Sequence, residues 1–256
     1  MTQSAKREAP ALSRVGRMRV AARAGAILVF FLGCVLLYLL WRPFPVRNPW
    51  PPFFLGGVAK IMGVRVTVRG SPPRDHAALV SNHVSWLDIP VLAGLTGTAF
   101  VAHDGLAQIG WLEWVCKMNR TVFIARDRRS TVGDQVEQVR EALAAVGVLT
   151  LFPEGTTADG VTLLPFKSSL LSALVPLPEG TRVQPVWIDY GPQARDIAWL
   201  GDEPGADNFR TVASRAEPLP VTVHFLKPLD AETVGDRKAM ARAAQFAIEE
   251  AMLAAR

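Results

Sequence analysis

Hydrophobic and polar positions divide the chain into one long apolar run and a series of shorter runs of two different periods. Ala24 to Trp41 contains no charged residue, a length at the lower edge of what crosses a hydrocarbon core as a helix. Arg42, Pro43, Pro45, Arg47, Pro49, Pro51 and Pro52 follow and predict a bend or linker over 42–52, because proline cannot continue a helix. A second apolar stretch, Phe53 to Met62, has two readings. It is a short helix that returns through the membrane interface as a hairpin with the first run, or a helix that covers a core.

Beyond it the period changes. Val64-Arg65-Val66-Thr67-Val68 alternates and is rich in β-branched residues, which predicts a strand, and the apolar runs Ala77 to Val80, Val122 to Ile124 and Val148 to Phe152 predict three more. Val132, Val136, Val139, Leu143 and Val146 recur at helical spacing and lead into the strand at Val148. Strands follow at Val183 to Ile188 and Val221 to Leu226, then a helix from about Asp236 to Leu253. Such alternation predicts an α/β fold, a central mixed sheet flanked by helices, preceded by a membrane-associated helix or helical hairpin. The expected organisation is a basic segment at 1–23, a membrane-associated segment at 24–63 and a folded α/β domain at 64–256. Reactive groups in such a sheet gather on loops at the strand ends.

Composition sharpens this picture at two points. Half of the 256 residues are hydrophobic, enough for a packed core, and 28 Lys and Arg against 23 Asp and Glu give a net charge of +5. Lys6, Arg7, Arg14, Arg17, Arg19 and Arg23 precede the long apolar run against the single acid Glu8, the pattern of a juxtamembrane polybasic segment rather than of a nucleic-acid surface. Trp41-Arg42-Pro43-Phe44 offers no small-residue cleavage site, so the run reads as a retained segment. With only Cys34 and Cys116, neither a disulfide framework nor a cysteine metal site is expected.

Three segments carry candidate chemistry. Asn82-His83-Val84-Ser85-Trp86-Leu87-Asp88 follows an apolar strand, so His83 sits where strand gives way to loop. A helix starting near Ser85 would place Asp88 in its first turn. The carboxylate could then reach back to one imidazole nitrogen, fix the tautomer and leave the other nitrogen basic. The other reading is capping: Ser85 caps the helix, Asp88 complements its dipole and His83 is an ordinary loop histidine. Phe152-Pro153-Glu154-Gly155-Thr156-Thr157 also leaves a buried strand, at the same sheet edge. There Gly155 permits close backbone approach, and Glu154, Thr156 and Thr157 offer polar atoms to a head group, or form an ordinary strand-to-turn connection. Arg126, past the strand Val122 to Ile124, is placed to hold a phosphate.

These segments together with Phe123-Ile124-x-Arg126 and Val183-Gln184-Pro185-Val186 resemble, in order and spacing, the four blocks of the glycerolipid acyltransferases, the group of bacterial 1-acyl-sn-glycerol-3-phosphate acyltransferases, over residues 60 to 190. The resemblance implies that His83 deprotonates an acceptor hydroxyl and that Asp88 steadies the imidazolium. It also implies that Phe123, Arg126, Glu154, Gly155, Thr156 and Pro185 bind the acceptor. The expected reaction carries a fatty acyl group from acyl-CoA or acyl carrier protein to a lysophospholipid, foremost 1-acylglycerol-3-phosphate, giving phosphatidic acid. Another lysolipid such as lyso-ornithine lipid is the alternative acceptor. No cofactor and no metal is implied. The partners are the membrane surface, the acceptor lipid and the acyl donor, with the catalytic domain on the cytoplasmic face of the inner membrane. Thr121 stands where the second block usually has glycine, and Phe100-Val101-Ala102-His103 ends in histidine where lysine is common; both departures bear on the acceptor. A serine hydrolase would need a Gly-x-Ser-x-Gly elbow, which the sequence lacks. A noncatalytic membrane-binding protein would need only the basic, apolar start.

Overall fold

A computed structural model describes residues 12–103, 114, 116–124 and 132–255, without the side chains of 102, 103, 124 and 132–136. Seven strands form one sheet in the order β1-β7-β6-β2-β5-β3-β4. They are β1 Val64–Gly70, β2 Ala77–Ser81, β3 Ala99–His103, β4 Val122–Ile124, β5 Val148–Leu151, β6 Arg182–Asp189 and β7 Leu219–Phe225. The five strands β6, β2, β5, β3 and β4 are mutually parallel. β7 pairs antiparallel with β6, and β1 runs parallel to β7. The sheet is therefore mixed, as the pattern predicted. One consequence matters for function: the ends of β2, β5 and β6 share an edge with the starts of β7 and β1.

Helices cover both faces. β2 is buried on both sides, which explains its unbroken apolar run, as in central parallel strands generally. Its Ala77 and Leu79 face a core shared with α2 (Trp50–Ile61), α3 (Asp88–Thr96) and α5 (Gly205–Ser214). Its Ala78 and Val80 face the opposite core, built with α4 (Val132–Val146), α6 (Arg237–Ala254) and the 3-10 turn Ser168–Leu174. The helical spacing of Val139, Leu143 and Val146 is the stripe by which α4 enters that second core.

The N-terminal part is a hairpin. α1 spans Arg14–Trp41, with the Ser13 hydroxyl accepting from Gly16 N at 3.0 Å. It is long and apolar enough to cross a membrane. Against the expected linker, Pro51 and Pro52 lie inside α2, in its first turn, where the missing N–H would have no intrahelical partner in any case. α2 returns along α1 through Phe30 against Phe53 and Phe54, with ring centroids 5.6 and 5.7 Å apart. It also touches α3 backbone to backbone: a Cβ on Gly94 would lie 2.7 Å from Gly56 Cα.

Both ends of the hairpin are tied to the sheet and its helices. Arg23 Nη1 donates to Ala213 O and Arg215 O at 2.9 and 3.1 Å, and Arg19 Nη1 to Ser214 O at 3.5 Å. These two residues of the basic segment thus cap the carbonyl end of α5, where a cation is favoured. At the far end, Arg47 donates to Val146 O at 2.7 Å and to Gly97 O, the carbonyl ends of α4 and α3. The hairpin thus lies along the domain from one sheet edge to the other. Leu28, Val29, Leu32, Leu36 and Leu40 on α1 remain exposed.

Candidate active site

Strand β2 ends at Ser81 and the chain turns at Asn82-His83 before α3 begins. Asn82 anchors the turn to β6 with two bonds: its Nδ2 donates to Ile188 O at 3.0 Å, and Ile188 N donates to its Oδ1 at 2.7 Å. α3 starts at Asp88, later than the Ser85 start expected, because residues 84–87 form a turn that wraps around the Asp88 carboxylate. Val84 N and Ser85 N donate to Asp88 Oδ2 at 2.7 and 3.0 Å. The capping expected of Ser85 is absent, since no side chain caps the start of α3, and the Asp88 carboxylate instead reaches back to the turn before the helix. His83 Nδ1 lies 2.7 Å from the same Oδ2.

Chemistry follows from that distance. A carboxylate oxygen already accepting two backbone bonds takes a further bond only from a protonated Nδ1, which leaves Nε2 with its lone pair. Asp88 is fully buried and the His83 side chain 18% exposed, so the basic nitrogen is held from below with part of the ring open. Phe152 stacks on the imidazole with centroids 4.1 Å apart, and Phe100 stacks beyond Phe152 at 6.1 Å. Asp88 Oδ1 accepts a bond of 2.6 Å from the hydroxyl of Tyr190, just past the end of β6. Burial and the neighbouring Asp88 push that phenol well above its ordinary value.

The loop after β5 is bound to the same turn. His83 N donates to Glu154 Oε1 at 2.7 Å and Leu164 N to Glu154 Oε2 at 3.0 Å, while Ala158 N donates to His83 O at 2.7 Å. Burial raises the Glu154 carboxyl to about 7, and the two backbone bonds oppose the shift. Gly155 has φ +70°, and a Cβ there would stand 3.1 Å from Lys167 Nζ and 3.2 Å from Leu170 Cδ1. Among the described residues no cluster of three His, Cys, Asp or Glu could hold a metal.

A histidine base oriented by a buried carboxylate at the ends of β2, β5 and β6 is the equipment for deprotonating a hydroxyl. Comparison with known proteins gives the family. The Acyltransferase family model matches residues 64–189. A lyso-ornithine lipid O-acyltransferase of Rhodobacter capsulatus is 33% identical over 255 residues, covering 93% of this chain and 91% of its own. The chain belongs to the acyltransferase family. A lyso-ornithine lipid O-acyltransferase of Brucella abortus is 30% identical, with 89% and 91% of the two chains covered. A 1-acyl-sn-glycerol-3-phosphate acyltransferase of Neisseria meningitidis serogroup B is 31% identical over 136 residues, about half of each chain. The crystal structure of a 1-acyl-sn-glycerophosphate acyltransferase from Thermotoga maritima has the same fold, with a TM-score of 0.61 at 22% identity over 93% of this chain and 98% of that one.

The acyltransferase brings His83, Asp88, Glu154 and Gly155 together, while the other sequence candidates stand apart from the His83 ring or lie outside the described residues. Thr156 is exposed in the same loop, and the Thr157 hydroxyl donates to Trp199 O. Glu154, expected among the acceptor contacts, has its carboxylate taken up by two backbone N–H groups and is 1% exposed. Pro185 is buried inside the sheet opposite Val80, and Phe123 pairs with Ala102 on the outermost parallel strands. Arg126 lies outside the described residues, as does the side chain of His103. Sequence reading missed Tyr190 and the stacking role of Phe152. The signal for Tyr190 was its place two residues beyond Ile188, on the same face of the β6 line and at the same sheet edge as His83.

Proposed function

We propose that this acyltransferase esterifies the free hydroxyl of lyso-ornithine lipid. The observation that carries the reading is the near full-length similarity to lyso-ornithine lipid O-acyltransferases, set against similarity to the Neisseria phosphate-acceptor enzyme over about half the chain. The acceptor placed first from the motifs, 1-acylglycerol-3-phosphate, therefore gives way to the alternative. In the reaction His83 Nε2 takes the hydroxyl proton as the oxygen attacks the thioester carbonyl of acyl-CoA or acyl carrier protein. The tetrahedral intermediate then expels the thiolate, which receives the proton from the imidazolium. Asp88 stabilises that imidazolium. An ornithine head group presents a carboxylate and an amine in place of a phosphate. Lys167, with its ammonium against Gly155, supplies a cation for the carboxylate, and Arg126 is the further candidate for an anionic group.

The hairpin supports membrane attachment in a single leaflet on the cytoplasmic side, where acyl donors are found. A crossing α1 would separate Arg47 from Val146 and Gly97, or Arg23 from α5. The exposed leucines of α1 would instead enter one leaflet alongside the domain. The acceptor is tested by incubating purified protein in vesicles with acyl donor and equimolar lyso-ornithine lipid and 1-acylglycerol-3-phosphate. Preferential acylation of lyso-ornithine lipid is expected. Exclusive use of the phosphate acceptor would overturn the acceptor assignment and leave the family intact.

A further inference from the structure

We infer that Tyr190 is a positioning residue of the catalytic pair: through its bond to Asp88 Oδ1 it sets how strongly the carboxylate draws on His83, and hence how basic Nε2 is. The inference rests on the base role given to His83 above. Asp88 Oδ2 accepts three donors, His83 Nδ1, Val84 N and Ser85 N, while among the described residues Oδ1 has Tyr190 alone. The carboxylate is fully buried, where an oxygen without a donor is costly. Tyr190 therefore completes the acceptor set and fixes the rotation of the carboxylate that points Oδ2 at the ring.

Placement argues for more than packing. The end of β6 grips the histidine turn twice, through the Ile188 backbone to Asn82 and through Tyr190, just past the strand, to Asp88, so His83 is held by the residues on either side of it. A phenylalanine would fill the same space. The hydroxyl adds a bond of 2.6 Å to a fully buried carboxylate, and such a bond spreads the carboxylate charge away from Oδ2. Without it the charge falls more fully on Oδ2, the imidazolium gains stability, and His83 binds its proton more tightly. A base that stays protonated to higher pH is less available at neutrality.

The titratable groups facing the ring among the described residues are Asp88 from its own turn, Tyr190 from β6 and Glu154 from the loop after β5, with Lys167 over the adjacent Gly155. Glu154 titrates in the same range as a histidine, so the comparison holds Glu154 constant and varies Tyr190 alone.

Two variants test the inference in opposite directions. Tyr190→Phe removes the donor. Because the chain has only two tyrosines, 3,5-difluorotyrosine incorporated throughout a Tyr38→Phe background places a more acidic phenol, hence a stronger donor, at position 190. The readouts are the acid limb of kcat/KM and the NMR titration of the His83 ring in the full chain, assigned with His83→Gln. For Tyr190→Phe, kcat is expected to fall roughly tenfold with little change in KM, and both titrations move up by about half a pH unit to one unit. For the fluorinated protein both move down. Titrations unchanged in both proteins, even with a lowered Tm, would overturn the inference and leave Tyr190 a packing residue. The ring titration needs no turnover, so a protein that acylates nothing would sink the functional reading while this outcome is still decided.

Discussion

His83 and Asp88 were legible in the sequence because one short turn supplies both, and a spacing can describe what a turn builds. Tyr190, 102 residues from Asp88, was not, since only the pairing of β6 with β2 brings it there. Glu154 shows a different limit. An acid beside a glycine in a strand-end loop suggests a head-group contact, whereas burial decides that it holds the backbone of His83 and Leu164. That role has a measurable consequence. A carboxyl raised to about 7 from an ordinary 4.5 keeps its proton longer in the folded protein than in the unfolded chain. Its contribution is therefore fullest below the unfolded value and declines as pH rises through about 7. Wild type should lose on the order of 3 kcal/mol relative to Glu154→Gln between pH 4 and 8, measured by urea unfolding. The same variant turns one acceptor into a donor facing a backbone N–H, so kcat is expected to drop at least tenfold. Parallel stability curves for the two proteins would show that the Glu154 carboxyl titrates over the same pH range in the folded and the unfolded chain, with no shift on folding.

At the level of elements, the strands with strong alternation or unbroken apolar runs were legible, as was the helix α4 with its valine and leucine stripe. β3 was met only as a segment ending in His103 and not as a strand. α5 went unnoticed because it is only 10 residues long and polar over most of its surface, so the stripe of Phe209, Val212 and Ala213 by which it enters the core is too short to stand out. Pro51 and Pro52 read as breakers since a sequence does not say whether a proline stands before a helix or in its first turn. The contact between Gly56 and Gly94 was equally hidden, and it joins the membrane hairpin to the helix that begins at Asp88. Gly94→Val should force α2 away from α3, because a Cβ there meets the Gly56 backbone at 2.7 Å. About 1–3 kcal/mol of stability is the expected loss for such overpacking, with kcat reduced more than KM as Asp88 shifts. Thermal unfolding and steady-state kinetics on the same preparation check this. A fully active variant with unchanged Tm would mean that the two helices are not coupled.

For the whole molecule, the sequence gives a polybasic, apolar start, and the structure gives it a course along the domain from Arg23 to Arg47. In a cysteine-free background with Cys34 and Cys116 replaced by alanine, single cysteines at Arg17, Phe44 and Asp202 should all react with a membrane-impermeant reagent from the cytoplasmic face of inverted vesicles, Phe44 more slowly if it dips into the leaflet. Labelling of Phe44→Cys from the opposite face would show that α1 crosses. The central claim, that His83 held by Asp88 is the base for acyl transfer to a lysolipid, is tested most directly by mass spectrometry of lipids after purified wild type and His83→Ala are incubated side by side with acyl donor and lyso-ornithine lipid. The expected result is acylated ornithine lipid from the wild type and essentially none from a His83→Ala protein that is folded and membrane-bound, since the base acts only in the transition state. Acylation by folded His83→Ala at the wild-type rate, or no acylated lipid from either protein, would contradict it.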